Sequence, residues 1–311
     1  MNFVKNLISG KSVQSQMNRG LNLSRRGMLQ LAGAAVIASG LSVGIDPAVA
    51  QAAETAKLFY TKSGSGAPVV FIHGWACDSH DWSAQIPEFE KKFTVIAPDM
   101  RGHGRSEVTP SGTYMPTALS ADVIALLEAE AGGQKAVLIG HSMGGQIAAR
   151  VASERPDLVE AVVSVDGALG WDGPVMEVFR STSDEMQKGQ AAVAANEMFK
   201  LVYDPATLPA MKTMHARRTL GMPNHVVAEA FPPLFFGEGQ VGEGKASEDF
   251  LRSLTVPVYQ MNRDPEMTAR MAPWFAHEKS KVDTWTDAGH WIHQDRPDDV
   301  NKAIIEWIES L

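Results

Sequence analysis

Residues Gly140-His141-Ser142-Met143-Gly144-Gly145 lie between the apolar run Ala136-Val137-Leu138-Ile139 and the helix-like stretch Gln146–Val151. A Gly-x-Ser-x-Gly pattern in that setting asks a strand to end, turn sharply and start a helix within a few residues. A serine on such a turn is pushed out of the sheet, with its hydroxyl exposed and its neighbours' backbone amides pointing the same way. Gly140 and Gly144 flank it because a Cβ at either position would crowd the turn. The motif therefore predicts both an α/β architecture and a nucleophile.

The rest of the chain has the matching rhythm. Strand-like runs occur at Leu58–Tyr60, Pro68–Ile72, Phe93–Ala97, Ala136–Ile139, Ala161–Val165, Val256–Met261 and Lys281–Trp285, with Gly64-Ser65-Gly66 as a turn between the first two. Several are continuously apolar, as expected of strands covered on both faces. Helical spacing appears between them, in Ala118–Glu130 (Val123, Ile124, Leu126, Leu127) and in the closing segment Asp298–Ser310. This alternation predicts a mainly parallel sheet flanked by helices. Residues 167–253 break the rhythm, with no convincing strand. They hold Trp171, Phe179, Phe199, Phe231, Phe235 and Phe236 and six of the fifteen methionines. This segment is expected to be a helical lid inserted between two strands of a core made from 51–166 and 254–311. Methionine-rich apolar surface can adapt to varied ligand shapes, although most of these side chains are expected to pack the lid's own core.

The first fifty residues read as an export signal rather than as part of the fold. Lys5, Lys11, Arg19, Arg25 and Arg26 precede an apolar stretch from Met28 to Val43, and Ala48-Val49-Ala50 fits the small-x-small cleavage rule. Ser24-Arg25-Arg26-Gly27-Met28-Leu29 resembles a twin-arginine signal, which implies a periplasmic or secreted bacterial protein. The apolar stretch is short for a membrane span, so no stable anchor is expected after cleavage. Removing residues 1–50 would leave 23 basic and 35 acidic residues, a net charge of −12 against −8 for the whole chain. So acidic a surface disfavours nucleic acid and anionic lipid as partners and leaves a small molecule with an apolar portion. Cys77 is the sole cysteine, so no internal disulfide can form, and a buried inert thiol is expected there.

A serine hydroxyl needs a base beside it, and the base needs an orienting acid. On a sheet of this kind the acid precedes the histidine in chain order. His290, in Ala288-Gly289-His290-Trp291, follows the last strand at its carboxyl end, where ligands bind in open α/β sheets. Two carboxylates follow strands upstream of it: Asp166, in Ser164-Val165-Asp166-Gly167, and Asp264, in Asn262-Arg263-Asp264-Pro265. His73 and His103 belong to turn motifs and are expected to brace loops, Asp99 to anchor the turn Arg101–Ser106, and His141 to pack beside the nucleophile. His290 and His293 form a His-x-x-His pair, but no further ligand is spaced to complete a zinc site.

Four patches together carry a family resemblance: the Ser142 motif, Phe71-Ile72-His73-Gly74-Trp75, Ala97–Ser106 with its Arg101-Gly102-His103-Gly104 turn, and Ala288–Pro297. With them the chain resembles the lid-bearing serine hydrolases of the α/β-hydrolase family over residues 57–311. The resemblance implies backbone amides of Trp75 and Met143 as the oxyanion hole. It implies Asp264, 26 residues before His290, as the acid in the commoner position, with Asp166 as the position some members use. If Asp264 is the acid, Asp166 is expected to steady the lid junction. The pair Asn262-Arg263 departs from the glycine-bearing turn frequent at that point. The activity implied is cleavage of a small carboxylic ester or lactone through an acyl-serine, with no metal or organic cofactor. Relatives on the same framework cleave carbon–carbon bonds, form peracids, act as cofactor-free dioxygenases or bind ligands without turnover.

Overall fold

The computed structural model describes residues 55–311; the expected export signal lies outside them. Seven strands are formed: β1 (Tyr60–Gly64), β2 (Pro68–Ile72), β3 (Thr94–Pro98), β4 (Ala136–His141), β5 (Val159–Val165), β6 (Val258–Asn262) and β7 (Lys281–Thr284). They make one sheet in the order β1-β3-β2-β4-β5-β6-β7. β1 runs antiparallel to β3, and every other pairing is parallel.

The central strands are the apolar runs of the sequence, and β2, β4 and β6 are buried along their whole length. Alternation along each strand feeds two separate cores. Val70, Ile72, Leu138, Val162 and Val258 face a layer built with Leu119 and Val123 of one helix and Ile147 and Val151 of another. Val69, Phe71, Val137, Ile139, Val163 and Tyr259 face the opposite layer, with Trp82, Phe89, Ile304 and Trp307. The edge strands are polar and partly exposed, which discourages pairing with other chains. The first strand is displaced from the expected Leu58–Tyr60. Its polar residues are specified by the ladder from Tyr60↔Pro98 to Gly64↔Thr94 rather than by an apolar pattern.

The helices between strands are α1 (Ile86–Phe89), α2 (Pro116–Glu130) and α3 (Met143–Glu154). Residues 167–253 contribute no strand to the sheet. They form α4 (Val175–Glu185), a π turn over Met186–Gln190, α5 (Ala191–Phe199), α6 (Pro209–Leu220), α7 (Asn224–Ala230) and α8 (Gly244–Ser253). Met176, Met186 and Met198 are buried in this segment, and Met211, Met214 and Met222 are half-buried. The chain returns through α9 (Pro265–Met271) after β6 and closes with α10 (Ile292–Asp295) and α11 (Pro297–Glu309).

β2 has β3 on one side and β4 on the other, so the winding reverses there and a crevice opens at the carboxyl ends of the strands. Six loops leave that edge, and five of them carry Trp75, Ser142, Asp166, Arg263 and His290.

Candidate active site

Ser142 sits between β4 and α3 with φ 52° and ψ −115°. Three non-glycine residues among those described have positive φ, namely Ala76, Ser142 and Asp166, and all three lie in these carboxyl-end loops. Strained backbone of this kind persists where the surroundings over-determine it. The Ser142 amide donates to the Val165 carbonyl at 3.0 Å, and the Ser142 carbonyl accepts from Gly145 and Ala168. A Cβ at Gly140 would strike the Gly144 carbonyl, and one at Gly144 would strike that of Ile72. The glycines are thus required by close backbone approach.

Two loops brace each other beside the serine. The His73 Nε2 accepts from the Met100 amide at 2.8 Å, and the His103 Nε2 accepts from the Ala76 amide at 3.3 Å. Their Nδ1 atoms then carry hydrogen and donate to the Gly74 and Arg101 carbonyls. Burial, then the neighbouring His73, pushes His103 down to about 3, so the ring is neutral at ordinary pH and free to accept. Asp99 takes the amides of Ser79 and Arg105. A Cβ at Gly74 would come 3.3 Å from the Ser142 Cβ, which measures how closely this loop lies on the serine. Among the described residues, the Trp75 and Met143 amides donate to no protein group. The Trp75 indole reaches across to the Val227 carbonyl of α7 at 3.0 Å.

His290 is held from several sides. Its amide donates to the Val202 carbonyl at 2.8 Å, its carbonyl accepts from the His141 Nε2 at 2.9 Å, and the preceding Gly289 amide donates to Asp295. Its Nδ1 donates to Asp166 Oδ2 at 2.5 Å. That bond fixes the tautomer and leaves Nε2 as the basic nitrogen.

The acid partner therefore differs from the expectation. Asp264 is exposed and caps α9, accepting from the Glu266 amide at 2.9 Å. Asp166, given a place at the lid junction by that expectation, is buried with its carboxylate on the imidazole. The register explains the exchange. His141 pairs with Val165, so Ser142 and Asp166 are the next residues on adjacent strands. Met261 pairs with Val165, so Asp264 lies three residues beyond the pairing and one strand further out. Arg263, one residue closer to that pairing, donates through Nε to the same Asp166 Oδ2 at 2.6 Å. Burial pushes the Asp166 carboxyl up, but Arg263 and His290 outweigh it and hold it below the ordinary carboxylate range. Sequence reasoning missed Arg263, although the departure from a glycine-bearing turn marked the spot.

Beneath these groups lies a buried polar layer. Cys77, Asp81 and His141 bring donor atoms within 4.8 Å of one another. Asp81 is already engaged, by the Arg218 Nη1 at 2.6 Å and the Trp291 indole at 3.1 Å, and the Arg218 cation opposes a second positive charge. The Cys77 thiol is pushed well up by burial and by Asp81, against what a thiolate ligand needs. Through the His141 and Asp81 contacts this set supports the loop of His290.

A strained serine at a strand-to-helix turn, with an aspartate-held histidine at the same sheet edge, recurs in one large group of folds. A family model described as alpha/beta hydrolase fold matches residues 67–204. This chain has the α/β-hydrolase fold. Among solved structures, it is similar to a thermophilic esterase from Thermogutta terrifontis, malate bound, with 27% identity and a TM-score of 0.69, covering 82% of this chain and 94% of that one. Among curated proteins it is 38% identical over 110 residues to a soluble epoxide hydrolase of Corynebacterium sp. (strain C12), covering 35% of this chain and 38% of that one. It is 43% identical over 151 residues to a non-heme chloroperoxidase of Streptomyces lividans, covering 45% and 51% respectively. The chain thus spans less than two thirds of the length of either curated relative.

Proposed function

We propose that this chain is a serine hydrolase that cleaves a small carboxylic ester or lactone. The observation that carries the reading is the Asp166-held imidazole of His290 at the sheet edge where Ser142 is presented. His290 Nε2 takes the Ser142 hydroxyl proton as the oxygen attacks the carbonyl carbon. The carbonyl electron pair moves onto its oxygen, which the Trp75 and Met143 amides receive. Collapse expels the alkoxide, which takes the proton from His290 and leaves an acyl-serine. Water, deprotonated by the same imidazole, then releases the acid and restores Ser142. Asp166 stabilises the imidazolium that forms in each half. Epoxide opening on this framework needs a carboxylate nucleophile, and position 142 is serine.

Ser142→Ala should lower turnover of 4-nitrophenyl acetate by about 10⁴-fold or more, with the melting curve unchanged. Turnover within a few-fold of the parent chain would remove Ser142 from the mechanism. The similarity to a non-heme chloroperoxidase favours a second reading, in which peroxide replaces water and a peracid leaves. Peroxide-dependent bromination by the parent chain, lost in Ser142→Ala, would select it. The leader at residues 1–50 belongs to the same proposal. Replacing Arg25 and Arg26 by Lys should leave the chain in the cytoplasm of a bacterium with a twin-arginine pathway.

A further inference from the structure

Asp166 Oδ2 carries two partners, the His290 imidazole at 2.5 Å and the Arg263 guanidinium at 2.6 Å. The aspartate is buried and sits at a strained φ of 43°, its amide tied to the Met261 carbonyl at 2.8 Å. It therefore has little freedom to choose between them. Arg263 is three-quarters buried at its side chain, which limits screening by water. We propose that Arg263 is a positioning residue for the His290 base, acting through Asp166: it fixes the oxygen that accepts from the imidazole.

The inference rests on the hydrolase reading above. Arg263 touches no reacting atom. Its effect comes from a fixed cation sharing one oxygen with the base. Holding that oxygen in one place keeps the imidazole in one orientation. The other groups around His290 do not supply that cation. The His141 ring lies 4.6 Å away on β4, and burial holds it well down and neutral. His293 on α10 lies behind His141 and is likewise held neutral by burial, at about 3. Asp295 engages the Gly289 amide and the Thr207 hydroxyl. Asp81 pairs with Arg218. Arg263 is the cation bonded to the carboxylate that serves the base.

The test compares the parent chain, Arg263→Gln, Arg263→Met and Arg263→Lys. Glutamine keeps a donor without charge, methionine keeps bulk alone, and lysine keeps charge. Labelling of Ser142 by a fluorophosphonate and hydrolysis of 4-nitrophenyl acetate are followed across pH, with melting curves to establish folding. In Arg263→Met the plateau of both profiles should fall by about tenfold, through kcat with KM kept, because the Asp166 oxygen is no longer held. Arg263→Gln and Arg263→Lys, which keep a donor, should hold the plateau within a few-fold of the parent chain. Equal plateaus in all four chains would overturn the inference, as would losses in glutamine and lysine as large as in methionine. If neither neutral variant folds, Arg263 is a folding requirement and the positioning role falls. If the parent chain neither labels at Ser142 nor hydrolyses ester, the hydrolase reading fails and takes this inference with it. Labelling of the parent with an unmoved plateau in the variants removes Arg263 alone.

Discussion

Asp166 and Asp264 each follow a strand of the same sheet, and their surroundings set them apart. Asp166 is buried against an imidazole and a guanidinium; Asp264 faces water and caps a helix. Asp166→Asn should keep the geometry yet lower kcat by about 10³–10⁴-fold, because the amide no longer stabilises imidazolium and can impose the wrong tautomer. Asp264→Asn should leave kcat within a few-fold. Asparagine caps nearly as well as aspartate, and only Asp264→Ala should destabilise the fold, by about 1 kcal/mol. Steady-state kinetics and urea melts on the three variants separate the two carboxylates. At this scale Ser142 and His290 were legible because each lies within a local turn pattern that leaves the sheet edge. The acid was not. Any strand-end aspartate satisfies the same local requirement, and the choice depends on which strand lies next to the one bearing the serine.

The elements that hold the site are tied through α3, the helix that follows Ser142. Gln146, on the second turn of α3, donates through Nε2 to the carbonyls of Ala168 and Leu234, at 2.6 and 3.0 Å. It is fully buried. The Arg150 Nη2, one turn further on, reaches the Gly239 carbonyl at 2.7 Å. α3 thereby pins two stretches of the inserted segment. Gln146→Met fills a similar volume but leaves buried carbonyls unpaired, so it should destabilise the chain by about 2 kcal/mol or more. Chemical denaturation measures the loss, and an unchanged midpoint would show that those carbonyls find other partners. The insertion also holds the loops of His290 and Trp75, since Val202 accepts from His290 and Val227 from the Trp75 indole. None of these cross-ties has a sequence signature, because a side-chain amide or an indole bonding a distant carbonyl obeys no period. The central strands were legible, since burial on both faces demands unbroken apolar runs. β1 was shifted because its polar residues answer to a partner strand.

Across the whole molecule, buried histidines form a layer beneath the carboxyl-end loops. Burial pushes His103 and His293 down to about 3 and lowers His73, His141 and His215. An unfolded histidine titrates near ~6.5, so below that pH the unfolded chain binds more protons than the folded one. Stability therefore falls as pH drops from about 6.5 towards 3. His103 and His293 each contribute about 2 kcal/mol of that loss by pH 5. Asp166, held low, adds stability that is present above the unfolded carboxylate range near ~3.9 and lost as pH falls further through its folded value. The melting temperature should therefore begin to drop between pH 7 and 5, before carboxylates titrate. Calorimetry at pH 7, 6 and 5 tests this, and a flat profile to pH 4.5 would mean that these rings are protonated in the folded protein.

Sequence alone determined the alternation of strands and helices, the long strandless segment and the serine turn with its glycines. Each depends on residues near one another in the chain, where periodicity and backbone sterics act directly. Tertiary structure decided which aspartate meets His290, that Arg263 shares its oxygen, and which carbonyls anchor the loops. Those outcomes depend on strand order and register, which bring residues such as Asp166 and His290 together across a sheet edge and which no local pattern encodes.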